Sequence, residues 1–189
     1  MPKITLNKKD TLKLVGKNIS DKQLEESIPL LGTDLEKVTK TEIEVEVFPN
    51  RPDMLSEEGF ARALSSFLGI KTGLKDYKVN KSNYKYKIDP KVKSVRPYSA
   101  AAVVKGIKFT EQSLTSFMNL QDKLHTTHGR NRAKVAMGAH NLEKISFPIE
   151  YTTKPRTFKF QALGDKKEKT IAKILEEHPK GSAYTHILD

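Results

Sequence analysis

The chain has 189 residues, with 34 lysines and arginines against 23 aspartates and glutamates and a formal net charge of +11 at neutral pH. This length accommodates one or two domains, and no apolar run approaches the roughly 20 residues that cross a bilayer. The chain contains no cysteine, which excludes disulfides, a thiol nucleophile and cysteine-ligated metals. No apolar stretch follows the first residues, which argues against a signal peptide. We therefore expect a cytoplasmic protein that does not enter a membrane.

The charge is unevenly distributed along the chain. Residues 1–60 carry 9 basic and 12 acidic side chains, whereas residues 61–189 carry 25 basic and 11 acidic ones. The later part could follow a phosphate backbone, while the first third has no electrostatic reason to contact nucleic acid. Basic surfaces also occur in lysine-rich or thermophilic proteins, so charge alone leaves RNA binding open.

The beginning of the chain predicts a small α+β unit. A short strand at 4–6 precedes a helix over 8–15, for which Asn7 is a possible N-cap. Ser20 and Gln23 form a capping box, which starts a helix that Gly32 closes. Pro29 is expected to kink or shorten that helix.

A strand and a helix follow in the same unit. The strict alternation at 42–47 is typical of a strand with one buried face. A turn at 50–53 then leads to a helix that Ser56 caps. The apolar residues of this helix recur at helical spacing: Phe60, Ala63, Leu64, Phe67 and Leu68.

A lysine-rich stretch separates this unit from a second one. Residues 71–93 carry eight lysines and the tyrosines Tyr77, Tyr84 and Tyr86. We predict an N-terminal α+β domain at 1–75, a linker at 76–93 and a second domain at 94–189. In the second domain we predict a buried strand at 98–107 and a helix at 110–125. Three further strands are predicted at 134–139, 147–151 and 157–160. A last helix is predicted to start with Asp165 and Glu168 as its capping box and to end before Pro179.

Three groups of polar residues are candidate sites, and each has a simpler structural reading. His125 and His128 could bind a metal, but no carboxylate or cysteine completes the set, so no metal site is predicted. A histidine near a helix C-terminus also interacts favourably with the helix dipole. Arg130, Arg132 and Lys134 could clamp phosphates, or they could be ordinary solvated loop residues.

The third candidate is the pair His140 and Asn141, which follows the predicted strand at 134–139. Polar residues at strand ends commonly line ligand sites. In the alternative interpretation, the pair caps a turn or short helix at 142–144. The residues alone therefore indicate a basic α+β protein that could bind RNA.

Three strings of residues sharpen this interpretation. They are Val47–Gly59, which reads VFPNRPDMLSEEG; Arg96–Tyr98 with Leu120–His125; and Val135–Ile145, which reads VAMGAHNLEKI. In this order they resemble the beta subunit of phenylalanine–tRNA ligase, in its archaeal and eukaryotic form. The resemblance implies a small N-terminal α+β domain followed by a larger mixed α/β domain of the editing type, here truncated, since family members continue beyond Asp189.

The family likeness also implies a function. The second domain would hydrolyse tRNA that wrongly carries tyrosine, while a catalytic alpha subunit makes the correct product in a heterotetramer of two alpha and two beta chains. The substrate would be the tRNA specific for phenylalanine. ATP and magnesium would serve the complete enzyme, and no cofactor is expected in this segment.

Within this family the site residues are assigned by position. His140 and Asn141 would lie at the rim of the editing pocket, and His125 would lie near the ester or support the helix. Arg130, Arg132 and Lys134 would hold the acceptor end of the tRNA. The group that recognises the tyrosine hydroxyl could lie downstream. Two alternatives are a non-catalytic RNA-binding module and a subunit-assembly module that docks a partner through its amphipathic helices.

Overall fold

The computed structural model describes residues 2–188, which form two compact units. Unit 1 comprises the residues up to Lys78 together with Ile107–Gly138, and unit 2 comprises Val79–Gly106 together with the residues from Ala139 onward. No helix among the described residues is long and apolar enough to span a membrane. The predicted domain boundaries at 75 and 94 stay predictions.

Unit 1 is built on a three-stranded antiparallel sheet in the order β1-β3-β2. The alternating sequence of the central strand turns Ile43, Val45 and Val47 into the core, while its glutamates face outward. Four α-helices and one short 3₁₀ helix, Pro52–Met54, accompany the sheet in the part of this unit that the structure describes. The elements are β1 (Lys3–Asn7), α1 (Lys8–Val15), α2 (Asp21–Leu30), β2 (Thr33–Val38), β3 (Glu42–Val47), α3 (Glu57–Phe67) and α4 (Glu111–Thr126).

The helix starts predicted from the sequence are confirmed. The Asn7 side chain accepts a hydrogen bond from the backbone N–H of Asp10, and Ser20 and Gln23 form the capping box of α2. Ser56 accepts from the N–H of Gly59 at the start of α3. Pro29 lies inside α2, one residue before its end. These caps satisfy N–H groups that have no partner within the helix.

The core of unit 1 lies between the sheet and its helices. Phe60 and Leu64 of α3 are fully buried, together with Leu24 and Ile28 of α2. One buried charge also contributes: the Lys8 ammonium lies 2.6 Å from Asp21 and 2.8 Å from the carbonyl oxygen of Thr39. Pairing of this kind offsets the cost of removing an ammonium group from water.

Strand β2 was not predicted from the sequence. Its residues are mostly polar and only Thr33 is buried. The strand forms because its backbone pairs with β3 along the edge of the sheet, with an irregularity between Leu35 and Lys37. Tertiary pairing thus overrides a weak local preference.

In its described residues, unit 2 contains two small sheets, two α-helices and two short 3₁₀ helices, Pro90–Ser94 and Leu142–Lys144. β4 (Tyr86–Ile88) pairs in parallel with β5 (Ile149–Tyr151), and β6 (Lys159–Phe160) pairs antiparallel with β7 (Lys169–Thr170). β5 and β6 lie within predicted strands. Helices α5 (Ile171–Glu177) and α6 (Pro179–Leu188) follow.

Two predicted strands are wrong. Residues 98–107 are irregular and exposed, because a strand needs hydrogen bonds from a neighbour and none of the described strands pairs with them. Residues 134–139 are also irregular. The N–H of Lys134 donates to the Gly129 carbonyl, and the N–H of Met137 donates to Nε2 of His125. Because these N–H groups already bond near the end of α4, they are not available to pair with a neighbouring strand.

The predicted start of the last helix also differs. α5 is capped by Thr170, whose hydroxyl accepts a hydrogen bond from the N–H of Lys173, rather than by Asp165 and Glu168. Asp165 instead lies 3.5 Å from the Lys169 ammonium. α5 ends before Pro179 as expected, but a further helix, α6, begins at that proline. Proline suits the first turn of a helix because no N–H is needed there.

The packing around Gly59 generates a stability prediction. A Cβ atom at Gly59 would lie 1.9 Å from the Asp53 carbonyl oxygen, so Gly59→Ala should lower the free energy of unfolding by about 1–3 kcal/mol. Alanine ordinarily stabilises a helix interior relative to glycine by about 0.5–1 kcal/mol. A decrease in the free energy of unfolding would therefore indicate the close contact with Asp53, because helix propensity alone predicts an increase. Urea unfolding followed by circular dichroism measures it. The exposed α3 variant Ser66→Ala should change stability by less than about 0.5 kcal/mol, and a Gly59→Ala protein as stable as the parent would contradict this packing.

Candidate functional site

The segment Asn50–Gly59 leads from β3 into α3, and several of its polar groups bond to one another. Two nitrogens of the Arg51 guanidinium each lie 3.0 Å from a carboxylate oxygen of Asp53. This hydrogen-bonded pair holds the pKa of Asp53 below its usual value. The Ser56 hydroxyl accepts from the N–H of Gly59 at 3.1 Å. These contacts give the most distinctive string of the sequence an architectural role.

The segment also connects to the start of the chain. The Glu57 carboxylate accepts a hydrogen bond of 2.8 Å from the backbone N–H of Asn7, where β1 passes into α1. Burial raises the pKa of Glu57, and the hydrogen bond from Asn7 opposes that effect. Glu57 therefore ties the first turn of α3 to the first strand.

A second cluster of polar groups lies at the C-terminal end of α4. The chain turns back on the helix over residues 127–133, and the N–H of Arg132 donates to the carbonyl of His125 at 3.0 Å. Gly129 lies inside this turn, where a Cβ would come within 2.5 Å of the Val135 carbonyl and 2.8 Å of the His125 carbonyl. Only glycine allows the two backbones to approach so closely.

Three consecutive residues of this turn have left-handed backbone conformations. The φ angles of Arg130, Asn131 and Arg132 are 47°, 53° and 69°. For residues other than glycine this conformation is costly, and asparagine tolerates it best. The turn therefore holds two arginines in an unfavourable conformation, which the hydrogen bonds at the end of α4 sustain.

His125 lies behind the turn and is only 3% exposed. Its Nε2 accepts a hydrogen bond from the N–H of Met137 at 2.7 Å, and Nδ1 has no hydrogen-bond partner among residues 2–188. Burial, followed by the nearby Arg132 charge, lowers the pKa of His125. The imidazole is therefore neutral, with its proton on Nδ1, and it anchors the segment after the turn.

The three basic residues predicted to bind tRNA all lie in or next to this turn. Arg130 and Lys134 are exposed. Arg132 is partly buried, and its guanidinium lies 3.6 Å from the Asp122 carboxylate on α4. Arg130 and Lys134 are thus the cations best placed to reach an external phosphate.

His140 and Asn141 belong to unit 2, whereas His125 and the basic turn belong to unit 1. Both residues are exposed. The Asn141 side chain accepts a hydrogen bond of 3.0 Å from the N–H of Glu143 and caps the short helix Leu142–Lys144. For Asn141 the capping interpretation therefore describes the observed contact.

Two residues that hold the turn were not identified as functional from the sequence. Gln121 of α4 donates its side-chain amide to the Met137 carbonyl. Gly129 has the close contacts described above. The sequence did hold a signal for Gln121, because it is a polar residue on an otherwise apolar face of the helix α4. No group of three or more histidine, aspartate or glutamate side chains that could hold a metal occurs among residues 2–188.

The comparisons with curated proteins and with solved structures agree with each other. A relative in Archaeoglobus fulgidus, the phenylalanine–tRNA ligase beta subunit, is 46% identical over 189 residues, which cover all of this chain and 34% of the relative. The beta subunit of Methanocorpusculum labreanum is 40% identical over 189 residues, again all of this chain and 35% of the relative. No protein-family model matches.

A solved structure is similar over nearly the whole chain. The crystal structure of an N-terminal fragment of the phenylalanyl-tRNA synthetase beta subunit from Pyrococcus horikoshii superposes with a TM-score of 0.90 at 38% identity, covering 99% of this chain and 55% of that fragment. The chain is homologous to archaeal phenylalanine–tRNA ligase beta subunits. It spans about a third of the length of the curated beta subunits that it matches.

The environment of His125 generates a pH prediction. Because the folded protein holds the pKa of His125 below the ordinary value near 6.5, the unfolded chain binds the proton more tightly. Stability from this group is therefore present above about pH 6.5 and is lost as the pH falls through the folded pKa, by at most about 1.4 kcal/mol per pH unit.

Urea unfolding at several pH values between 7.5 and 5 measures this loss. His125→Gln should flatten the pH dependence, since glutamine does not titrate and its side-chain oxygen is a hydrogen-bond acceptor. The exposed His128→Gln variant is the matched control and should keep the dependence of the parent protein. Equal slopes for His125→Gln and the parent would contradict the assigned neutral, anchoring role.

Proposed function

We propose that this chain serves as the N-terminal part of a phenylalanine–tRNA ligase beta subunit. In that role it would assemble with a catalytic alpha subunit, two copies of each, and support charging of the tRNA specific for phenylalanine. The observation that carries the proposal is the similarity over the complete chain, at 46% identity to a curated beta subunit and a TM-score of 0.90 to a solved fragment.

We further propose that the chain after residue 94 contributes to a domain that hydrolyses tRNA wrongly charged with tyrosine. Tyrosine differs from phenylalanine by one hydroxyl, which an apolar synthetic pocket rejects only modestly. An editing pocket with a polar group aimed at the phenol has the opposite preference, because phenylalanine would leave that group without a partner. Ester hydrolysis then requires a positioned water and a donor to the developing oxyanion.

The contacts of the candidate residues suggest different parts in this task. His140 is exposed, and its imidazole could orient a water or donate to an oxyanion at the pocket rim. Asn141 holds the short helix that follows, so we assign it to positioning the segment around His140. His125 is buried and bonded to Met137, which supports a positioning role behind the basic turn.

Arg130, Arg132 and Lys134 are proposed to hold the acceptor end of the tRNA. Acidic side chains outnumber basic ones by 12 to 9 in the first 60 residues. The turn that carries the three basic residues lies in the later part of the chain, where basic side chains are in excess. A phosphate backbone would therefore be attracted to the turn and not to the first third of the chain.

A non-catalytic RNA-binding or subunit-assembly module is the second candidate. The observation that favours it is that Asn141 and His125, two of the three residues assigned to the chemistry, already make local structural hydrogen bonds. A pure phosphate binder would need only the basic turn.

Deacylation of tyrosyl-tRNA and phenylalanyl-tRNA distinguishes these candidates. The assay compares this chain with the complete two-subunit enzyme. We expect the complete enzyme to hydrolyse tyrosyl-tRNA and to spare phenylalanyl-tRNA. His140→Ala should slow the hydrolysis of tyrosyl-tRNA at least about tenfold, and His128→Ala should leave its rate unchanged. The same selectivity in this chain would place the pocket before residue 189. If neither protein distinguishes tyrosine from phenylalanine, the editing proposal fails and the RNA-binding module replaces it.

The proposed tRNA contacts are tested by the salt dependence of binding. The double variant Arg130→Ala/Lys134→Ala should bind the tRNA more weakly and reduce the magnitude of the slope of log affinity against log salt by about 1 to 2. The slope falls because binding of the variant makes fewer phosphate contacts and therefore releases fewer counterions from the RNA. Filter binding at several salt concentrations measures the slope. The control Lys9→Ala/Lys17→Ala removes the same charge from exposed positions in the first third and should leave the slope unchanged. Equal effects of both double variants would refute a specific contact.

A further inference from the structure

The lysine-rich stretch that the sequence suggested to be a linker contributes a strand to unit 2. β4 lies within it and pairs in parallel with β5, with Tyr86 opposite Ile149 and Ile88 opposite Tyr151. Side chains alternate between the two faces of a strand, and paired residues share a face. One face of this small sheet therefore carries Tyr86, Ile88, Ile149 and Tyr151.

The same face extends one step beyond the strands through a further aromatic pair. The rings of Tyr84 and Phe147 lie with their centroids 4.5 Å apart at 43°, while those of Tyr86 and Tyr151 lie 6.3 Å apart at 28°. Four aromatic rings thus form two packed pairs side by side. We name Tyr84, Tyr86, Phe147 and Tyr151 the aromatic face.

The aromatic face remains accessible. Tyr84 is 39% exposed, and the other three residues are half-buried. The hydroxyl of Tyr86 bonds to Ser99, which fixes the position of its ring. A ring held in place by its neighbours loses little conformational entropy when a second flat group packs against it.

The segment that contains β4 is rich in cations, and one of them contacts the aromatic face. Residues 79–106, which contain β4, carry seven basic side chains and one acidic one. The Lys105 ammonium lies 5.2 Å from the centroid of the Tyr84 ring. An exposed cation–π contact is weak, so Lys105 can exchange the ring for a phosphate oxygen. On the opposite face of the sheet, Lys87 is paired with Glu150 at 3.9 Å.

We propose that the aromatic face binds single-stranded RNA by stacking unpaired bases on its rings, with Lys105 contacting the backbone phosphates. Flat aromatic rings accept any base, because every base has a π face, and nearby lysines follow the backbone. A duplex keeps its bases stacked on one another and cannot use the rings. The residues differ from those of the basic turn and from His140, so this binding can fail or hold independently of the proposed editing activity.

The experiment uses fluorescein-labelled decauridylate and the 189-residue chain, with binding followed by anisotropy. Tyr84→Ala should weaken binding by about tenfold, while Tyr84→Phe, which keeps the ring, should stay within about twofold of the parent. Tyr77→Ala is the matched control. Tyr77 is also exposed and also has a lysine ammonium 5.2 Å from its ring, but no second ring packs against it in the described part of the chain. This control should bind like the parent.

A second measurement needs no variant and covers the case in which Tyr84→Ala fails to fold. Photocrosslinking with an iodouridine-containing decauridylate should label Tyr84, Tyr86 or Tyr151, as read by peptide mass spectrometry. Crosslinks confined to the basic turn, equal binding of a duplex of the same length, or the absence of binding would each overturn the proposal. An unchanged affinity for decauridylate in a folded Tyr84→Ala protein would also overturn it. The alternative would then be that a protein segment packs on the aromatic face.

Discussion

Gly59 and the Asp53 carbonyl are in contact where β3 leads into α3, and unit 1 depends on that contact. It sets the direction in which α3 leaves the sheet, so that Phe60 and Leu64 enter the core. Arg51 and Asp53 hold the turn from outside, and Ser56 starts the helix. The string at 47–59 is thus a joint held by hydrogen bonds within it and by the hydrogen bond from Asn7 to Glu57.

Outside this joint, acidic and basic side chains lie on different parts of unit 1. The outward face of the central strand carries glutamates, whereas the turn after α4 carries arginines in left-handed conformations. That turn is sustained by neutral, buried His125 and by the hydrogen bonds of Gln121 and Arg132. A surface organised in this way would guide a polyanion toward the later part of the chain. The strain in the turn would be stored before any ligand arrives.

Sequence patterns predicted the elements whose signals are local. Alternation identified β3, and the side chains of Asn7, Ser20 and Ser56 identified three helix starts, because caps act within three residues. β2 escaped because its polar residues form a strand only through pairing with β3. Residues 98–107 were assigned to a strand on apolar composition alone, which says nothing about a pairing partner.

The site was less predictable than the fold. Composition indicated the basic turn, but the neutral state of His125 follows from its burial and from the nearby Arg132 charge. Its hydrogen-bond partner, Met137, lies 12 residues away. Asn141 was weighed as a pocket residue and as a cap, and only the contact with Glu143 decides what it bonds to here. Long-range packing of this kind leaves no periodic trace in a sequence.

Hydrogen–deuterium exchange with and without the tRNA specific for phenylalanine tests the central claim, that the first third is architectural and the basic remainder contacts RNA. We expect slower exchange on tRNA binding at residues 127–137 and in unit 2, with no change across residues 3–47. Protection confined to residues 3–47, with the basic turn and unit 2 unaffected, would contradict it.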